Sequence, residues 1–149
     1  PPMLHEAFRT TGIVLGGRLY VAGGFGCELQ MWDGTAWTLK ADLPAARFQA
    51  ASVAVDGKMW VIGGGVRGEG PTASVIIYDP ETDSWTTGVP LPEPRICCRA
   101  TVDHTGSILL VGGGPPVCFL NEAWRPLEEL PASPAGDIVN LCIVSVLLG

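Results

Sequence analysis

One unit recurs three times along the chain: an apolar strand that ends in two glycines, then a polar stretch, then a tryptophan. The second glycines of the three pairs are 40 and 49 residues apart. A period of roughly 40–50 residues made of short strands is typical of the blades of a β-propeller. The repeat therefore predicts an all-β fold. The strands are RLYVAGG, KMWVIGG and SILLVGG, and the tryptophans are Trp37, Trp85 and Trp124.

The turns between the apolar runs predict that each blade has four antiparallel strands. Asp56-Gly57 separates two apolar strands, and both residues of such a tight hairpin turn adopt a positive φ. A Leu-Pro pair follows each repeat tryptophan by six or seven residues, where the chain would pass to the next blade. We also expect Trp85 to be buried beside a Gly-Gly pair, since a large ring can fill the gap between blades.

Three repeats are expected at residues 8–42, 46–90 and 94–130, within a repeat region of 8–135. Propellers typically close with 4–8 blades, so three blades cannot form a ring by themselves. Three explanations stay open: the chain is a fragment of a longer propeller, two copies complete one ring, or the ends of an arc are covered in another way. The apolar segment 136–149 is expected to form a C-terminal strand or a truncated fourth blade.

The composition argues against several classes of function. The net charge is −6, so neither nucleic acid nor an anionic membrane is an expected partner. The two histidines, His5 and His104, belong to no motif, and no residues have metal-ligand spacing. We therefore expect no catalytic residue, metal or cofactor. Five cysteines without a CxxC pair and the lack of a secretory signal pattern lead us to expect buried, reduced thiols in a cytoplasmic or nuclear protein.

The second unit carries the most specific motif. It reads VIGGG, IIYDPETDSW and LPEPR: Gly-Gly ends the second strand, Tyr78-Asp79 ends the third, Trp85 lies in the fourth, and Pro-Arg leads onward. This pattern resembles the kelch repeat. The first unit has Trp32-Asp33 in place of Tyr-Asp, and the third is degenerate, with Phe119 and Asn121 there. The chain is similar to F-box/kelch-repeat proteins of plants, which implies a partial propeller with the first strand of each blade innermost.

Three arginines, Arg9, Arg47 and Arg95, precede the leading strands. The resemblance implies that arginines at this place line the central face of the propeller and bind acidic groups, which suits the planar guanidinium. Arg47 and Arg95 should then lie at one end of the arc with their guanidinium groups at least partly exposed. The alternative is that each arginine caps loop carbonyl groups of its own blade, and we favour that role for Arg9.

The longest insertion within a blade is the segment 65–72, GVRGEGPT. Loops on a rigid scaffold commonly carry recognition residues, so Arg67 and Glu69 are further candidates for binding a partner. The alternative is a solvated loop that contacts nothing.

The resemblance implies a module for protein–protein interaction that binds a protein or peptide partner with acidic groups. Its more specific form is the substrate-recognition part of a ubiquitin-ligase adaptor. The alternative is a propeller enzyme that acts on a sugar or another small molecule, similar to copper-radical oxidases or sialic-acid epimerases. Tyr20 and Tyr78 occupy repeat positions where core packing accounts for them, so we do not expect an enzyme.

Overall fold

The computed structural model describes residues 1–127, and its regular structure is built from β-strands, as the repeat predicts. The first blade is an antiparallel sheet whose four strands lie side by side in chain order. Its strands are β1 (Thr11–Leu15), β2 (Arg18–Ala22), β3 (Leu29–Trp32) and β4 (Trp37–Lys40). No helix in this part of the chain is long and apolar enough to cross a membrane.

The second and third blades repeat the same antiparallel order. The second contains β5 (Ala51–Val55), β6 (Lys58–Ile62), β9 (Val75–Asp79) and β10 (Ser84–Thr87). The third contains β11 (Arg99–Val102), β12 (Ile108–Val111), β13 (Val117–Leu120) and β14 (Ala123–Pro126). Three four-stranded blades of a partial propeller are thus confirmed, and the segment 136–149 lies outside the described residues.

The insertion in the second blade differs from the expected loop. It forms a small hairpin between β7 (Gly65–Val66) and β8 (Gly70–Pro71). Its turn contains Gly68 at a φ of 85°, a conformation that costs an L-residue more than glycine. The hairpin fixes the insertion at both ends, so Arg67 and Glu69 project from a defined turn.

The core lies between the blades, because successive side chains of a strand point to opposite faces of its sheet. In β6, Met59 and Val61 pack towards the first blade, whereas Ile62 packs towards the third. Both faces of the two central strands of this blade, β6 and β9, are therefore largely buried, which explains why these strands are almost continuously apolar. The buried side chains include Tyr20 and Tyr78, whose ring centroids are 5.8 Å apart across the first interface.

The double glycines contact the linker that leads to the next blade. Gly24 N donates to Arg47 O at 2.7 Å, and Gly64 N donates to Arg95 O at the same distance. A Cβ atom at Gly63 would lie 2.8 Å from Arg95 O, too close for any larger residue. Glycine is needed here because the backbone of the linker lies directly against the end of the strand.

The expected position of Trp85 is wrong in part. The side chain is partly exposed and lies at the outer edge of the second blade, since β10 is the outermost strand. It packs on Tyr78 with a centroid distance of 5.2 Å, and its Nε1 donates to Ala41 O at 2.8 Å. Linker backbone, and not the tryptophan ring, lies beside the glycine pairs.

Candidate functional site

The linkers that enter the three blades occupy equivalent positions. The repeat tryptophan of each blade donates a hydrogen bond from Nε1 to a backbone carbonyl oxygen of the linker that precedes its blade. The three bonds are Trp37 to Pro1 (3.3 Å), Trp85 to Ala41 (2.8 Å) and Trp124 to Val89 (3.0 Å). Pro1, Ala41 and Val89 are therefore structurally equivalent, and the segments 1–10, 41–50 and 89–98 can be compared residue by residue.

This equivalence corrects the expected position of Arg9. Arg47 and Arg95 both lie six residues after the carbonyl that accepts the tryptophan bond, a place that Ala7 holds in the first linker. Arg9 instead corresponds to Gln49 and Cys97. Gln49 N donates to Arg9 O at 2.9 Å and Cys97 N donates to Gln49 O at 3.0 Å, so a line of backbone hydrogen bonds joins the starts of the three innermost strands.

The Arg47 guanidinium connects the second linker to the second blade. Its Nη2 donates to Ser74 Oγ at 2.7 Å, and its Nη1 donates to the carbonyl oxygens of Ser74 at 3.0 Å and Gly63 at 3.4 Å. The residue is 5% exposed, and burial lowers the pKa of the guanidinium from its ordinary value. Among the described residues its Nε has no hydrogen-bond partner.

Arg95 takes the equivalent position in the third blade and has fewer hydrogen-bond partners among residues 1–127. Its Nη1 donates to Gly112 O at 3.5 Å, the counterpart of the bond from Arg47 to Gly63. Pro116 occupies the place of Ser74, so no hydroxyl is available for Nη2 there. A Cβ atom at Gly114 would lie 3.4 Å from the Arg95 Cζ atom.

The expectation that these two guanidinium groups are partly exposed is wrong, since Arg95 is only 2% exposed and Arg47 is similar. The physical reason is that each side chain lies over the double glycine of the following blade, where peptide carbonyl groups need donors. The arrangement is that of the capping alternative, since each arginine bonds carbonyl groups of the blade that follows its linker, which is its own blade. Their part in binding an acidic partner stays a prediction.

The remaining predicted residues lie on the surface. Arg9 is exposed, and its Cζ atom lies 5.4 Å from the ring centroid of Phe8. Arg67 and Glu69 are exposed at the tip of the β7–β8 hairpin, where Glu69 N donates to Val66 O at 3.1 Å. The structure thus separates the five candidates into two buried arginines and three exposed charged residues.

Sequence reasoning missed an aromatic row formed by Phe8 and Phe25, which are exposed, and Phe48, which is partly buried. The ring centroids of Phe8 and Phe25 are 5.4 Å apart, and those of Phe25 and Phe48 are 5.6 Å apart. Phe8 is 58% exposed and Phe25 is 49% exposed. Phe8 and Phe48 precede the equivalent residues Arg9 and Gln49, so an alignment of the linkers could have found two of the three rings.

The aromatic row continues towards the third blade. Phe48 and Gly65 exchange backbone hydrogen bonds of 3.0 and 2.8 Å, which place the Phe48 ring over the base of the β7–β8 hairpin. A Cβ atom at Gly65 would lie 2.9 Å from Ile96 Cδ1, and Ile96 is the counterpart of Phe8 and Phe48 in the third linker. Apolar side chains therefore meet at the linker ends of all three blades, at the base of the hairpin that carries Arg67 and Glu69.

The described residues offer little for metal or thiol chemistry. No group of three or more His, Cys, Asp or Glu residues in 1–127 could hold a metal ion. Burial raises the pKa of the Cys98 and Cys118 thiols, as expected for buried, reduced cysteines. That expectation is wrong for Cys97, which is exposed, and Cys142 lies outside the described residues.

Comparison with known proteins agrees with this architecture. Residues 46–92, which include the whole second blade, match a family model described as the Kelch motif. A structure described as that of YjhT superimposes with a TM-score of 0.67 at 29% identity, covering 76% of this chain and 36% of that one.

Two curated relatives each match about half of this chain. Beta-scruin of Limulus polyphemus is 36% identical over 81 residues, which are 54% of this chain and 9% of that protein. An F-box/kelch-repeat protein of Arabidopsis thaliana is 40% identical over 79 residues, 52% of this chain and 20% of that protein. The chain thus matches a fifth or less of the length of these relatives. With a kelch motif at residues 46–92, three blades of one pattern and relatives of this kind, the chain is similar to kelch-repeat proteins of the β-propeller fold.

Proposed function

We propose that the chain is a protein-recognition segment of a kelch propeller and that the aromatic row is its contact surface. The observation that carries this proposal is the exposure of Phe8 and Phe25, about half of each side chain, at the linker ends of rigid blades. Contiguous apolar surface of this kind commonly marks a protein interaction site. Aromatic side chains also supply much of the binding energy of protein interfaces.

The charges beside the aromatic row indicate the chemistry of the partner. The Arg9 guanidinium lies beside the Phe8 ring and remains exposed, so it is available to a carboxylate. A peptide that carries an apolar or aromatic side chain next to an acidic residue would satisfy both groups. Arg67 and Glu69 are exposed on the hairpin whose base contacts Phe48, and in this proposal they select the residues that flank the apolar and acidic residues of the peptide.

In this proposal the buried arginines act indirectly. Arg47 and Arg95 fix the linkers that carry Phe48 and Ile96, because their hydrogen bonds tie those linkers to the following blades. The substrate-recognition part of a ubiquitin-ligase adaptor is the more specific form of the same proposal. Its support is the similarity to an F-box/kelch-repeat protein of Arabidopsis thaliana, of which the chain matches 20%.

A peptide-display selection tests the proposal. The wild-type chain should enrich peptides with an acidic residue beside an aromatic one, and the double variant Phe8→Ser/Phe25→Ser should lose most of their binding. The matched control is Val14→Ser/Leu39→Ser, which removes two exposed apolar side chains, 67% and 47% exposed, from another surface. Equal loss in both double variants, or no enrichment by the wild type, would contradict the proposal.

A further inference from the structure

A cleft of about 660 Å³ lies between the second and third blades. Its floor contains Trp60 of β6, Ile77 of β9 and Phe119 of β13, and the turns of both blades form its rim. It shares no residue with the aromatic row. Asp56, on this rim, lies in the turn that joins β5 to β6. The double glycine follows the opposite end of β6.

The equivalent place between the first and second blades is closed by the turn that joins β9 to β10. Asp83, at the end of that turn, accepts hydrogen bonds through Oδ1 from Tyr78 Oη at 2.6 Å and from Ala41 N at 3.0 Å. The carboxylate thereby ties the second blade to the preceding linker over the aromatic pair. Tyr20 and Tyr78 beneath it are 2% and 0% exposed.

Within residues 1–127, the third blade has no counterpart of this closure. Its turn between β13 and β14 has only two residues, Asn121 and Glu122, because Leu120 pairs directly with Ala123. Phe119 stands in the place of Tyr78 and has no hydroxyl group. Trp60 and Phe119, the counterparts of Tyr20 and Tyr78, pack with a centroid distance of 5.3 Å but remain partly exposed.

The residues of the cleft favour a positively charged ligand group. Two exposed carboxylates, Asp56 and Glu122, lie on the rim, and none of its described lining residues is lysine, arginine or histidine. Trp60 and Phe119 also line the cleft, and aromatic rings attract cations through their quadrupoles. The chain as a whole carries a net charge of −6, which adds to this attraction.

The geometry points to a binding site for an arginine-containing peptide segment of a protein partner. The planar guanidinium stacks on aromatic rings and bonds carboxylates, and the stem of the arginine side chain packs on apolar surface. The volume of the cleft exceeds that of one side chain and falls in the range of ligand pockets, roughly 300–1,000 Å³. The apolar residues beside the arginine therefore occupy the rest, against Ile77. This site is independent of the proposed function of the aromatic row.

Titration of the chain with the peptide acetyl-Leu-Arg-Leu-amide, followed by tryptophan fluorescence and calorimetry, tests the inference. The same peptide with citrulline in place of arginine is the matched ligand, since it keeps the shape of the side chain and removes its charge. We expect saturable binding of the arginine peptide and binding of the citrulline peptide weaker by about fivefold or more. Equal affinity for both peptides, or no saturable binding up to millimolar concentration, overturns the proposal.

Two double variants test whether the arginine peptide binds in the cleft. Asp56→Asn/Glu122→Gln should weaken the arginine peptide by about five- to tenfold, because both rim charges are lost while asparagine still tolerates the φ of 49° at residue 56. Glu81→Gln/Glu93→Gln makes the same change of charge at exposed residues outside the cleft and should leave binding unchanged. An equal loss in the two double variants assigns the effect to overall charge and overturns the site.

Discussion

The backbone N–H of Gln49 donates to the carbonyl oxygen of Arg9 at 2.9 Å, which links the starts of the first two innermost strands. Cys97 repeats the bond to Gln49 at 3.0 Å. All three residues adopt a positive φ, between 53° and 58°, although none is glycine. The conformation aims each N–H and C=O at the neighbouring linker, so the strain of a left-handed backbone is offset by hydrogen bonds between blades.

Substitutions at Gln49 test this balance. Gln49→Gly should change the free energy of unfolding by less than about 1 kcal/mol, since glycine adopts the positive φ without strain. Gln49→Val should lower the free energy of unfolding by roughly 1–2 kcal/mol relative to the Gln49→Gly variant, because a β-branched side chain disfavours this conformation. Denaturant unfolding of both variants measures the difference, and equal stability would show that the backbone bond does not depend on this conformation.

The double glycines give a prediction with a matched control. Gly64 and Gly68 have positive φ values of 93° and 85°. A Cβ atom at Gly64 would lie 2.8 Å from Ala50 Cβ and 2.9 Å from Phe48 O, whereas no described heavy atom lies within 4 Å of the corresponding position at Gly68. Gly64→Ala should therefore cost roughly 2–4 kcal/mol and Gly68→Ala about 1 kcal/mol in denaturant unfolding. Similar costs at both positions would contradict a packing role for the repeat glycines.

The two buried arginines should differ in their contribution to stability. Arg47 donates to the hydroxyl and carbonyl oxygens of Ser74, whereas Pro116 leaves Arg95 without the equivalent hydroxyl. Ser74→Ala should lower the free energy of unfolding by about 1–3 kcal/mol, as expected for a hydrogen bond to a charged donor. Arg47→Ala should cost more than Arg95→Ala in the same unfolding experiment.

A binding experiment distinguishes a structural role of these arginines from a role in recognition. If the arginines only hold the linkers, Arg95→Ala should leave the affinity for selected acidic–aromatic peptides within about twofold, while Arg9→Ala weakens it by about two- to fivefold. A loss larger for Arg95→Ala than for Arg9→Ala, in protein that is still folded by circular dichroism, would instead establish Arg95 as a direct ligand of the acidic group.

The Asp83 carboxyl group should make the free energy of unfolding depend on pH in the acidic range. Hydrogen bonds from Ala41 N and then Tyr78 Oη lower the pKa of the Asp83 carboxyl group, so its folded pKa lies below its unfolded value. The stabilisation is therefore complete above about pH 4, the ordinary aspartate pKa, and is lost as the pH falls through the lower, folded value. The Asp83→Asn variant keeps an acceptor oxygen, but its side chain does not titrate in this acidic pH range. Unfolding measured from pH 6 downward should show a smaller loss of stability in the variant, and identical profiles would exclude this carboxylate as a source of the acid sensitivity.

The fold could be predicted largely from the sequence, because its signals are local. Alternating apolar residues define strands, Asp56-Gly57 defines a hairpin, and the period of the double glycines defines a blade. The position of Arg9 could not be read in the same way. Its equivalence with Gln49 follows from the hydrogen bonds of Trp37 and Trp85 to the two linkers, which are contacts between residues distant in sequence.

The candidate sites were decided by contacts between residues distant in sequence. The exposure of an arginine depends on whether the next blade presents carbonyl groups within its reach, as Gly63 and Ser74 do for Arg47. The cleft lies where the turn has two residues, Asn121-Glu122, and where no described residue repeats the bond of Asp83 to the preceding linker. The sequence by itself determined three antiparallel blades, since strands and turns follow from local residue preferences. Only the tertiary structure decided which charges are buried, which rings are exposed and where the interface between blades stays open, because these properties arise from packing across blades some 40 residues apart.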